Sequence, residues 1–126
     1  MIEKLRKNLL KSYSPYSKYP VSAIVVCRDG KEYTGVNIEN ASYGATVCAE
    51  RVAIFKAISE GHKKGDLKEL HIMVGSGNVG MPCFLCRQVI DEFFDEDSKI
   101  ICYSTNNEIK EFKLRDLCPF PFEKEN

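Results

Sequence analysis

Apolar positions along this chain fall into two rhythms, a helical period near 3.6 and short runs of branched residues, and their succession predicts a mixed α/β fold. Ile2, Leu5, Leu9, Leu10 and Tyr13 share one face at helical spacing, which predicts an amphipathic helix over residues 2–13 that breaks at Ser14-Pro15-Tyr16-Ser17. Val21–Cys27 reads as a buried strand, Asp29-Gly30 as a hairpin turn, and residues 32–38 as the returning partner. Helical spacing resumes over 48–59 and stops at Gly61. Residues 70–75 predict a third strand, 83–94 a second long helix, and 99–103 and 109–114 two further strands. Two strand–helix–strand crossovers after a hairpin imply a mixed sheet with helices on its faces. No repeat, low-complexity tract or linker interrupts this order, so residues 1–126 read as one domain, large enough to bury a core without disulfides.

Charge narrows the partners. The 18 Lys and Arg equal the 18 Asp and Glu, and no basic stripe is visible, which argues against a polynucleotide or an anionic membrane and for a small neutral substrate. The first seven residues are charged and lack an apolar signal core, and no apolar run approaches a membrane span. A cytoplasmic, reducing location is therefore expected, where six cysteines read as thiols and metal ligands more readily than as disulfides.

Those cysteines carry the chemistry. Pro82-Cys83-Phe84-Leu85-Cys86 puts two thiols three residues apart, on one side of a first helical turn. Alone, the pair is ambiguous between zinc and redox chemistry. Cys48-Ala49-Glu50-Arg51 adds a third thiol at another helix start, with a carboxylate two residues on. At about 100° per residue, Cys48 and Glu50 cannot share a face, so Glu50 suits a group that approaches a metal-bound water from the side. Three cysteine ligands with water in the fourth position is the pattern of a catalytic zinc site, and the two-part signature is the known one of zinc deaminases. Three thiolates on one Zn2+ leave a net negative charge, which Arg51 is placed to offset by donating to a thiolate.

With Tyr16-Ser-Lys-Tyr19-Pro-Val, Gly35-Val-Asn37-Ile-Glu39-Asn40-Ala and the closing Leu117-Cys-Pro119-Phe-Pro-Phe122 added, the chain resembles the small cytidine deaminases over nearly its whole length. The resemblance implies an α/β three-layer sandwich with a five-stranded mixed sheet, and a homotetramer with shared active sites. It also implies zinc-dependent hydrolytic conversion of free cytidine or deoxycytidine to uridine or deoxyuridine plus ammonia. Cys48, Cys83 and Cys86 would hold one zinc ion. Glu50 would move protons, and the Cys83 amide would stabilise developing charge. Asn37 and Glu39 would bind ribose hydroxyls, Tyr19 would stack on the pyrimidine or sugar in a place where the family usually has Phe, and Ala49 would line the pocket. Tyr43 and Phe122 would reach in from neighbouring subunits, while Arg51 and Gln88 would support the metal ligands. Phe84-Leu85 stand where the family commonly has Gly-Ala and predict a narrowed pocket or a reshaped subunit contact. Ser22 replaces a usual Gly.

Other signals are set aside. Gly75-Ser-Gly77-Asn-Val-Gly80 spells a dinucleotide fingerprint, but Pro82-Cys83 delays the helix that fingerprint requires. Cys27, Cys102 and Cys118 read as buried free thiols, and a water is preferred to His62 or His71 as fourth ligand. The competing functions are deamination of another cytosine nucleoside such as blasticidin S, a thiol-redox protein, and a structural-zinc interaction module. The last two leave Glu50 idle.

Overall fold

The computed structural model describes residues 1–123. In chain order it holds α1 (Ile2–Leu9), β1 (Val21–Cys27), β2 (Glu32–Val36), α2 (Ala49–Ser59), β3 (Leu67–Val74), α3 (Phe84–Phe93), β4 (Lys99–Tyr103), β5 (Ile109–Lys113) and α4 (Leu114–Leu117). The five strands form one sheet in the order β2-β1-β3-β4-β5. Only β3 and β4 run parallel, joined through α3; the other neighbours are antiparallel. This is the mixed, helix-flanked sheet that the pattern implies.

Strand alternation sorts the core into two layers. Ala23, Val25 and Cys27 of β1, Leu70 and Ile72 of β3, and Ile100 and Cys102 of β4 pack against α2, α3 and α4. Ile24, Met73, Ile101 and Tyr103 face the other way, onto Leu5 of α1. Ser22 belongs to this second layer, and its hydroxyl donates to the Leu5 carbonyl at 2.8 Å. The unusual serine thus ties α1 to the sheet.

Boundaries differ from expectation where tertiary pairing wins over periodicity. The first helix ends at Leu9, not at 13: Leu10 is 87% exposed, and Tyr13 leaves the helix to exchange backbone bonds with Asn37 and Glu39. The second strand stops at Val36, and Ile38 instead bridges Tyr13 and Val47. The third strand begins three residues early, at Leu67, because an irregularity at Val26/Cys27 brings Cys27 opposite it. The last strand yields at Leu114 to α4, which buries Leu114 and Leu117 and is capped by Asp116 accepting from the Lys113 amide at 3.1 Å. The remaining strands and helices fall within a residue or two of their expected places.

One contact positions α2. A Cβ at Gly35 would lie 2.4 Å from the Ala49 carbonyl oxygen and 2.6 Å from the Ala53 amide nitrogen. The stripe Ala49, Ala53, Ala57 is fully buried, and its small side chains let the helix backbone rest directly on β2. Gly35→Ala is expected to destabilise the fold by about 1–3 kcal/mol, the usual scale for overpacking. Chemical denaturation checks it; an unchanged midpoint would refute the contact.

In the α1 layer, His71 Nδ1 lies 2.8 Å from the Tyr103 hydroxyl and Nε2 lies 3.1 Å from Glu69. Burial lowers its pKa, with the Glu69 hydrogen bond acting in opposition. A histidine depressed in the folded state contributes stability that is complete above its unfolded pKa of about 6.5 and lost as pH falls below it, because the unfolded chain takes the proton first. Between pH 7 and pH 5 the melting temperature of the wild type is therefore expected to fall more steeply than that of His71→Gln. Parallel curves in differential scanning calorimetry would contradict this.

Candidate active site

Two helix starts meet at the site. Cys48 is the N-cap of α2 and Cys83 the N-cap of α3, both in extended backbone. Cys86 lies one turn into α3, and its amide faces Cys83 Sγ at 3.5 Å. Cys48 Sγ and Cys83 Sγ stand 3.8 Å apart, and all three sulfurs lie within 4.8 Å of one another. The first-turn amides and the helix dipoles favour negative charge at this place.

Hydrogen bonding within the trio is asymmetric. The Cys48 thiol is brought down to about 5, first by a hydrogen bond from Cys86 and then by Arg51 and Cys83. Cys86 moves the other way because it holds the proton given to Cys48 and is buried. Arg51 Nη2 approaches Cys48 Sγ at 3.6 Å, so Arg51 is no free surface charge. Its buried Nε has no hydrogen-bond partner among the described residues. A thiol cluster at two helix N-termini, with a guanidinium held against Cys48, suits a soft divalent cation that would displace the thiol protons.

Glu50 sits beside this cluster, only 4% exposed. Burial pushes its pKa up to about 7, with the charge on Cys48 acting in the same direction. A carboxyl poised near neutrality both accepts and releases protons readily.

Cys48, Cys83 and Glu50 line a cavity of about 320 Å3, at the small end of the ligand-pocket range of about 300–1,000 Å3. Ala49, Ile72 and Val74 supply apolar wall, and Tyr19, Asn37 and Glu39 also line it. Glu39 accepts from the amides of Tyr16 at 2.9 Å and Ser17 at 3.1 Å, and from the Ser17 hydroxyl. The Ser17 hydroxyl first, then those amides, hold its carboxylate below the ordinary range, leaving an ionised acceptor. Asn37 is more committed than expected. Its Oδ1 takes the Val21 amide at 2.9 Å and the Ser12 hydroxyl, and its Nδ2 donates to the Tyr19 carbonyl at 2.8 Å. It holds the cavity wall together and keeps one N–H in reserve. Both residues lie beyond the end of β2, not within it.

Several sequence candidates stand elsewhere. Tyr43 is 78% exposed, edge-on to Tyr16 in an adjoining cleft, and Phe122 is 79% exposed; neither lines this chain's own cavity. Gln88 does not touch the thiols: its amide exchanges two hydrogen bonds with the Phe122 backbone, at 3.0 and 2.9 Å. Its part is to anchor the C-terminal tail to α3. Phe84 and Leu85 point outward, Phe84 under the Arg87 guanidinium at 4.5 Å, and do not narrow the cavity. His62 and His71 are bonded away from the trio. The loop 75–82 leads from β3 to Cys83 without a helix. Ser17, Thr46 and Met81 also line the cavity, and pattern alone had not marked them. Ser17 stands inside the quoted Tyr16–Tyr19 motif, and Thr46 two residues before Cys48; Met81 offers no sequence signal.

Comparison with known proteins bears on this geometry. A family profile described as "Cytidine and deoxycytidylate deaminase zinc-binding region" matches residues 1–109. A cytidine deaminase of Sporosarcina psychrophila is 38% identical over 126 residues, covering 100% of this chain and 91% of that protein. The crystal structure of a cytidine deaminase from Burkholderia pseudomallei superposes with a TM-score of 0.91 at 34% identity, covering 96% of this chain and 95% of that one. A blasticidin-S deaminase of Bacillus cereus is more distant, 28% identical over 112 residues, covering 84% of this chain and 79% of that protein. By profile, sequence and fold together, the chain belongs to the zinc-binding cytidine and deoxycytidylate deaminase family.

Proposed function

We propose that this chain catalyses hydrolytic deamination of free cytidine and deoxycytidine, acting as one cytoplasmic domain that holds a zinc ion on Cys48, Cys83 and Cys86. The observation that carries this reading is a buried carboxyl, Glu50, sharing one small cavity with Cys48 and Cys83 of a three-thiol cluster at two helix N-termini. When bound, zinc supplies the Lewis acidity that makes water a nucleophile near neutral pH.

The chain's own groups do the rest. Glu50, near neutrality in its dry setting, takes a proton from the attacking water and delivers it to the pyrimidine ring nitrogen next to the amine-bearing carbon. It then helps ammonia leave. Water and cytidine thus become uridine and ammonia. The start of α3 at Cys83 presents amides toward the developing oxygen charge. The ionised Glu39 accepts from a sugar hydroxyl, the spare N–H of Asn37 donates to one, and Tyr19 offers a ring face to the pyrimidine or sugar. Balanced net charge fits a neutral nucleoside.

Tyr43 and Phe122 fit a role in neighbouring copies of a homotetramer. Support comes from an outward apolar set in which Tyr43, Phe84 and Phe122 are nearly four-fifths exposed and Leu85 two-thirds. The reshaped contact foreseen for Phe84-Leu85 belongs there and not in the cavity. The blasticidin-S relative keeps a bulkier cytosine nucleoside as the second substrate to assay.

Ultraviolet absorbance of cytidine and deoxycytidine incubated with zinc-loaded protein tests the reading. Conversion is expected, and Glu50→Gln is expected to lower turnover by about 10²–10⁴-fold, the contribution of a general acid–base group, while zinc at the cysteines is retained. Conversion of blasticidin S alone would move the assignment to that substrate; an active Glu50→Gln would end the role given to Glu50. Arg51→Gln is expected to weaken zinc retention by about 10–100-fold, as loss of a group supporting metal ligands does, measured by competition with a chromophoric chelator. Unchanged retention would leave Arg51 a packing residue.

A further inference from the structure

At the opposite end of α2 from the thiol cluster, the β1–β2 hairpin turn meets the segment that follows the helix. Cys27 closes β1, Asp29 sits within the turn, and His62 comes two residues after the α2 C-cap. One donor atom from each, Sγ, a carboxylate oxygen and a ring nitrogen, lies within 4.8 Å of the others. Ligands about 2.0–2.3 Å from a common tetrahedral ion lie about 3.3–3.8 Å apart, so the three need close only slightly to share one. His62 Nε2 and Asp29 Oδ2 are already 3.0 Å apart.

The surroundings resemble a supported metal site more than a chance surface pair. Asp29 is oriented by its other oxygen, which accepts the Lys31 amide at 3.0 Å. His62 is held at both nitrogens: Nδ1 lies 3.3 Å from the Tyr33 hydroxyl, and the two rings meet edge-on with centroids 5.3 Å apart. A ligating histidine ordinarily gives its other N–H to such a partner. A cation between Nε2 and Oδ2 would replace the proton shared there, leaving Nδ1–H to donate to the Tyr33 hydroxyl oxygen. The His62 side chain is 10% exposed and that of Asp29 is 49% exposed, while Cys27 is buried. The site is therefore reached from the turn and floored by the thiol.

We infer that Cys27, Asp29 and His62 form a second, peripheral binding site for a divalent transition-metal ion of the zinc and cobalt class, separate from the deaminase cavity. Thiolate, carboxylate and neutral imidazole together balance a double positive charge. A donor set containing sulfur and nitrogen selects zinc or cobalt over magnesium or calcium. An ion here joins the β1–β2 hairpin to the end of α2, two elements whose relative placement also sets Gly35 against Ala49.

The test uses full-length protein stripped of metal and dialysed against micromolar zinc chloride. Wild type is expected to retain one more zinc ion per chain than Asp29→Asn, altered at the half-exposed ligand, or His62→Gln, altered at the nearly buried one. Cobalt chloride added to protein already carrying zinc at the three-cysteine cluster is expected to give a thiolate-to-cobalt charge-transfer band. The band should be absent in His62→Gln, and Tyr33→Phe should weaken cobalt binding by about 10–100-fold. Equal zinc content in wild type and both variants, or a wild-type cobalt complex without the thiolate band, would overturn the site. Neither readout involves nucleoside turnover, so failure of the proposed reaction would leave the result intact, and the converse holds as well.

Discussion

The seating of α2 on the bare backbone of Gly35 is the contact on which the site depends. At that place helix and strand meet main chain to main chain, closer than any side chain allows, and the buried alanine stripe extends the fit along the helix. Because Cys48 caps this helix and Glu50 lies in its first turn, their positions relative to β1 and β3 are set by backbone packing, not by rotamer choice. The parallel crossover from β3 to β4 places the start of α3 beside them. Two rigid helix starts are thereby held to the tolerance that a three-point metal site demands.

Electrostatics then follow from placement. Thiols clustered this tightly repel one another when ionised, and the fold answers with first-turn amides, helix dipoles and the Arg51 guanidinium. For Glu50 burial outweighs the help of its own backbone amide, Cys86 and Arg51. This glutamate is buried beside a low-pKa thiol, and the outcome is a carboxyl held near neutrality. The contrast with Glu39 is instructive: given two amides and a hydroxyl, that carboxylate stays ionised. Two glutamates of one cavity are thus pushed in opposite directions by what surrounds them.

Much of this was legible in the residues. Helical geometry put Cys83 and Cys86 on one side of a turn and set Glu50 off the Cys48 face, but joining Cys48 to that pair rested on the two-part signature and the resemblance to the small cytidine deaminases. Strand β1 was readable to the residue, since a run of branched side chains bounded by a turn has few alternatives. What escaped were features decided by distant partners. The end of α1 is set by Tyr13 pairing with the chain beyond β2. The turn α4 owes its place to burial of Leu114 and Leu117. Gln88 follows Cys86 closely in sequence, yet its side chain turns to the tail, and Phe84-Leu85 lie between two cysteines of the cluster yet face outward. Adjacency along a helix says little about which side of it a residue serves.

The Gln88 clamp has a consequence for how this chain can change over evolutionary time. It grips residue 122 through its peptide N–H and C=O alone, and so is indifferent to the side chain carried there. The anchor and the displayed ring are inherited separately. Drift at position 122 can alter what the tail offers to its surroundings without loosening its attachment, whereas a change at 88 would free the tail and leave its chemistry untouched.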